Sequence, residues 1–150
     1  PKTGETFTEF YLLGPTGNAT GYPRNLTTQE NATVIIGVAN HEHHPMNYTI
    51  EIWLINQTTS NNQTTYHHMW YLTTITTTLP DQPINTEEPW HPQWTSKYTF
   101  NINTTGTFKL AFLLFTAPTA TYTTNEDYPE IADQIIHGAY RENHLWITVY

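Results

Sequence analysis

The sequence predicts an all-β fold, and three observations carry that expectation. Residues suited to a pleated, half-buried backbone dominate, with threonine alone at 30 of 150 positions. Apolar residues recur with period two in short runs separated by turn residues. The longest apolar run, residues 106–116 (GTFKLAFLLFT), follows a glycine turn and alternates as a strand does. Phe108, Leu110, Phe112 and Leu114 share one face, and Lys109, Ala111, Leu113 and Phe115 share the other.

The elements follow in order. Residues 6–13 (TFTEFYLL) form a first strand, ending at the turn dipeptide Gly14-Pro15. A long loop over 17–31 leads to a short buried strand at 32–39, and the polar connection 40–45 (NHEHHP) leads to a third strand at 47–56. There Tyr48, Ile50, Ile52 and Leu54 face one way and Thr49, Glu51, Trp53 and Ile55 the other. Residues 58–65 read as a polar turn and 66–79 as a Thr-rich return strand. Four prolines between 80 and 92 exclude a central strand there. A strand at 93–103 turns into the 106–116 strand. Residues 117–141 read as an insertion, with one or two helical turns around 130–137 because Ile131, Ile135 and Ile136 have helical spacing. Residues 143–150 close the chain with Leu145, Ile147 and Val149 on one face. About seven short strands in one domain, 1–150, predict an immunoglobulin-like antiparallel β-sandwich with a loop and short-helix insertion before the last strand.

Composition bounds the function. Charged residues are 12% of the chain against about 25% in ordinary domains, so hydroxyls and amides hydrate the surface. A formal charge of −8 with five strong bases argues against a nucleic-acid partner. No run reaches the roughly 18 apolar residues of a membrane helix, which suggests a processed protein or an excised soluble part. With no cysteine there are no disulfides, thiolate nucleophiles or thiolate metal sites. Asn-x-Thr acceptor sequences occur at Asn18, Asn25, Asn31, Asn47, Asn56, Asn62 and Asn103, against roughly three expected by chance. The excess, in turns and at strand ends, points to an exported chain carrying covalent N-glycans.

The runs FTEFYLLGPTGNATGYPRNLT, VIIGVANHE, YTIEIWL and HLWITV resemble the extracellular domain of a mainly archaeal family, domain of unknown function 1616. The resemblance implies an Ig-like ectodomain at an archaeal cell surface, which in the family follows membrane helices that this chain lacks. The family has no established activity, so the resemblance supplies no catalytic residue. It implies a structural role for Asn40, His41 and Glu42, which close the loop between two strands. The insertion is longer than the resemblance leads one to expect.

The residues give little support to an enzyme. Ser60 and Ser96 lack a nucleophile context, and Glu87-Glu88 and Glu126-Asp127 read as solvated loop charge. His41, His43 and His44 in one turn, with His67 and His68 on a neighbouring strand, are the candidate ligands for Zn or Cu; solvated or hydrogen-bonded loop histidines are the plainer reading. No other cofactor is expected. Trp53, Ile55, Leu113, Phe115 and Trp146 project from the outer face of the central sheet, with Met69 and Tyr71 beside them, and make a patch that needs a cover. Either the insertion or another subunit supplies it. The expectation is a non-enzymatic glycoprotein module that self-assembles with copies of itself into a surface filament or sheath. Residues 6–13, with Phe7, Phe10 and Leu12, would be its exchanged strand. The alternative is a monomeric ectodomain that binds carbohydrate or a His-ligated metal ion.

Overall fold

Two sheets face each other across one apolar core in a computed structural model that describes residues 5–84 and 89–150. Strands β1 (Phe7–Leu13), β3 (Ala32–His41) and β6 (Trp94–Phe100) form a three-stranded sheet in the order β1-β3-β6. Strands β2 (Asn25–Leu26), β4 (Met46–Ser60), β5 (Gln63–Leu79), β7 (Gly106–Phe115) and β8 (Arg141–Val149) form the second in the order β2-β8-β7-β4-β5. All pairs are antiparallel except the two-residue contact of β2 with β8. Between β7 and β8 lie a 3-10 turn (Pro129–Ile131) and the helix α1 (Ala132–His137). No helix among the described residues is long and apolar enough to cross a membrane. The predicted sandwich with a short-helix insertion is the fold observed.

The inner faces are those the alternation predicts. Phe108, Leu110, Phe112 and Leu114 pack with Ile50, Ile52 and Leu54 beside them on β4 and with Val34, Ile36 and Val38 from the opposite sheet. On the outer face of the smaller sheet, Tyr11 lies across Gly37: a Cβ there would fall 2.1 Å from the Tyr11 ring, so only glycine admits this crossing.

The turn expected over 58–65 is mostly strand. Thr58 pairs with Thr65 and Thr59 with Thr64, and the reversal is confined to Asn61 and Asn62, with φ of 54° and 62°. Two residues in the left-handed region make the hairpin turn that matches strand twist, and asparagine tolerates that region. The β4–β5 hairpin therefore runs on past Ile55–Lys109, the last pair that β4 shares with β7.

Register sorts the molecule into two ends. The ends of β1, β6 and β8, the starts of β3 and β7 and the tip of the hairpin lie together, tied by bonds from the Gln29 N–H to the Ile102 carbonyl at 3.0 Å and from the Tyr150 N–H to the Leu26 carbonyl at 2.8 Å. The β3–β4 corner, the end of β5 and the start of β8 occupy the opposite end.

Candidate functional site

Three arrangements concentrate the polar and aromatic chemistry: the corner at Asn40-His41-Glu42, the capped outer face of the larger sheet, and the end bearing the glycan acceptors.

At the corner, the fully buried Asn40 uses all its polar atoms. Its side-chain amide donates to the carbonyls of His44 at 2.8 Å and Leu79 at 3.0 Å, and its Oδ1 accepts from the Glu42 N–H at 2.8 Å. Its own N–H donates to Oε1 of Gln93 at 2.7 Å, and its carbonyl accepts from the Gln82 N–H at 2.7 Å. His41 donates from Nδ1 to the Gln82 carbonyl at 2.6 Å, meets Glu9 Oε1 through Nε2 at 2.7 Å and lies against Phe7. Glu42 Oε2 accepts from Thr8 Oγ1 and from the Tyr140 hydroxyl, both at 2.7 Å. Because the Thr8 proton is committed to that carboxylate, the Tyr48 hydroxyl 2.8 Å away donates to Thr8. The bond to Glu42 and then burial raise the Tyr140 hydroxyl above its ordinary value; for Tyr48, burial is the first cause. The three motif residues thus tie β1, β3, β4, β5, the segment before β6 and the end of the insertion into one corner, the structural role that the motif implied.

The outer face is covered by the insertion. Trp53, Ile55 and Leu113 have no exposed surface, and Ala132 and Ile135 of α1 close over them with Tyr122, Tyr128 and Ile131. Trp53 meets Tyr71, Tyr122 and Tyr128 edge-on at 5.2, 5.0 and 5.8 Å, the arrangement that ring quadrupoles favour. The cap is sewn to β5 by backbone: the Tyr71 N–H donates to the Glu126 carbonyl, Asn125 to Tyr71 and Tyr128 to Met69. Asp127 accepts from the Met69 N–H at 2.7 Å and lies 2.6 Å from His68, so this residue is an anchor and not the solvated charge expected of it.

Glu51 sits under this cap, between Thr74 of β5 and Leu113 of β7, with 1% of its surface exposed. Trp53 Nε1 donates to its Oε1 at 3.0 Å, and Oε2 has no partner. Burial raises its carboxyl above the ordinary 4.5, opposed in part by the Trp53 hydrogen bond. The sequence carries a signal for it: a carboxylate directly before Trp53 and Ile55 in the outward row of a central strand.

The proposed assembly surface therefore requires correction. Trp53, Ile55 and Leu113 are interior, and Phe115 packs half-buried beside them. Phe10 and Leu12 face the main core, and Phe7 lies on His41; of the set only Trp146, 43% accessible, is exposed. Residues 7–13 pair along their whole length with β3 of the same chain, which counts against exchange of this strand.

The candidate metal ligands do not converge either. His41 is buried with both ring nitrogens engaged, and His43 and His44 are exposed at the corner. His68 pairs with Asn56, ten residues along β4 from Met46, which places it about 33 Å from the corner. His67 contacts Thr58 and His68 contacts Asp127. Among the described residues no three His, Asp or Glu side chains gather to hold an ion. Glu87-Glu88 lies outside the described residues.

The acceptor asparagines are placed unevenly. Asn18, Asn25, Asn31 and Asn103 are exposed at the end where β6 turns into β7, and Asn62 is exposed at the hairpin tip beyond it. Half-buried Asn56 lies on the hairpin leading there. Only Asn47, exposed and accepting from Thr78 Oγ1 at 2.7 Å, is at the corner end.

Comparison with known proteins gives a family and a fold. Residues 1–148 match the family described as domain of unknown function (DUF1616). No curated protein matches by sequence. Among solved structures, the chain resembles the CARDB domain of the PF1109 protein from Pyrococcus furiosus, determined in complex with di-metal ions, with a TM-score of 0.53 at 7% identity, covering 100% of this chain and 93% of that one. A β-glucosidase from Listeria innocua in complex with glucose gives a TM-score of 0.45 at 13% identity, with 97% of this chain covered but 16% of the enzyme. The likeness to the CARDB domain shows the β-sandwich fold alone.

Proposed function

The chain belongs to the domain of unknown function (DUF1616) family, and from that premise we propose that it is a non-enzymatic, N-glycosylated extracellular module, archaeal in setting, whose copies associate in a surface filament or sheath. The observation that carries this reading is the placement of the acceptors: six of the seven asparagines are exposed, and five gather at one end on turns, a short strand and a hairpin tip, where bulky sugars fit without disturbing the core. The non-enzymatic part rests on where the reactive groups sit. Ser60 is at the hairpin end, Asp127 is spent on His68 and the Met69 amide, and the buried Glu51 lies beneath a closed cap.

Intact-mass and glycopeptide analysis of native material tests the glycan reading. Sugars are expected on the exposed acceptors, with the lowest occupancy at half-buried Asn56; a native chain of unmodified mass would overturn it. Electron microscopy of the same material tests assembly, where ordered filaments or sheets support the reading and dispersed single domains oppose it.

A further inference from the structure

Strand β5 forms one edge of the five-stranded sheet. Over Met69–Tyr71 the insertion pairs with that edge through the bonds of Glu126, Asn125 and Tyr128. Beyond it the β4–β5 register shifts between Ile52 and Trp53, and from Thr73 to Leu79 no backbone partner meets the edge among the described residues. Exposed strand edges are ordinarily blunted by lysine, proline or inward charge. Between Gln63 and Leu79 there is no Asp, Glu, Lys, Arg or Pro, in a chain whose formal charge is −8. Thr74, Thr76 and Thr78 are exposed on the outer side, while Leu72 and Ile75 are only half-buried on the inner side, against the margin of the core.

We propose that a second copy of this chain pairs antiparallel with Thr73–Leu79 across a two-fold axis at Thr76, the midpoint of the open segment, so that two five-stranded sheets become one continuous sheet. The inference rests on the reading of the chain as a self-associating module and names the surface used. Charge selects this occupant. Two copies with a charge of −8 repel each other over most of their surfaces, and this edge is a stretch where they meet without opposed charge. The segment is also its own complement: threonine faces threonine across the axis, a pairing that antiparallel sheets favour, and the half-buried Ile75 side chains flank the axis on the core side. A two-fold contact is closed, so growth of a filament requires a second, different contact.

The test is sedimentation equilibrium of the 150-residue chain over a wide concentration range, with Thr76→Lys, Thr76→Glu and their equimolar mixture. The wild type is expected to dimerise with rising concentration, and its Thr73–Leu79 amides to exchange more slowly as it does. Each variant opposes like charges across the axis and is expected to dimerise about two- to fivefold more weakly, while the mixture recovers the pairing. Unchanged melting curves show that the exposed substitution leaves the fold intact. Dimerisation of either variant at wild-type strength, or no recovery in the mixture, overturns this surface but leaves self-association standing. A wild type that stays monomeric throughout, with unchanged exchange at the edge, overturns both.

Discussion

Glu51 and Trp53 lie two residues apart on β4 and so share its outer face, where the indole N–H of Trp53 donates to Glu51 Oε1 at 3.0 Å. The second carboxyl oxygen is buried without a partner. A carboxylate held this way is costly when ionised, because desolvation opposes the charge and the Trp53 bond only partly offsets it.

The consequence for pH has a definite sign. The folded-state carboxyl is raised above its ordinary 4.5, so the folded protein holds the Glu51 proton more tightly than the unfolded chain. Stability from this group is whole below the ordinary value and is lost as pH rises from there through the raised value. Denaturant melts across that window should show the wild type weakening with pH, and Glu51→Gln should flatten the slope. A wild-type stability that climbs over the same window in step with Glu51→Gln would rule this account out.

Ile135 presses α1 onto Trp53 and Leu113 at 6% exposure. Ile135→Ala leaves a cavity there and should cost about 2–5 kcal/mol. Urea unfolding measures the cost. Faster amide exchange at Tyr71 and Tyr128, which bond across the seam, should accompany it, because the cap loosens before the sandwich does.

Asn40→Ala removes a side chain that satisfies two carbonyls and one N–H inside the corner. Each buried group left unpaired costs roughly 1–3 kcal/mol, so the loss should exceed that of an ordinary surface change. Asn40→Asp retains the acceptor for Glu42 but sets a buried carboxylate oxygen against the two carbonyls, so near neutral pH it should melt no higher than alanine.

Zinc or copper added to the purified chain should leave its melting temperature unchanged. A ligand that binds only the folded state raises stability as its concentration exceeds Kd, so a saturable rise at one ion per chain would restore the histidines as a site.

Much of the sandwich was legible because its strands alternate. The residues facing the core from β3, β4, β7 and β8 follow from period two alone, and the spacing of Ile131, Ile135 and Ile136 located the short helix. The misreadings have physical causes. Thr58–Ser60 and Gln63–Thr65 read as turn because threonine and glutamine are polar, although β-branching favours strand. The two residues of β2 carry no periodicity at all, since only their parallel contact with β8 makes them a strand. Alternation showed that Trp53, Ile55 and Leu113 shared a face needing cover, but not whether the cover came from the same chain, because burial by an insertion and by a subunit demand the same apolar residues. The corner motif was legible as a connection between strands; its reach to Thr8, Gln93 and Tyr140 depends on contacts far apart in sequence.

The hairpin of β4 and β5 carries Asn56–Ser60 beyond the last pair shared with β7, about 17 Å of two-stranded ribbon. Past Ile55 neither strand of this ribbon pairs with β7, yet Tyr66, opposite Gln57, packs against the cap cluster. The ribbon therefore leans on the insertion, and whatever loosens the cap loosens the hairpin with it.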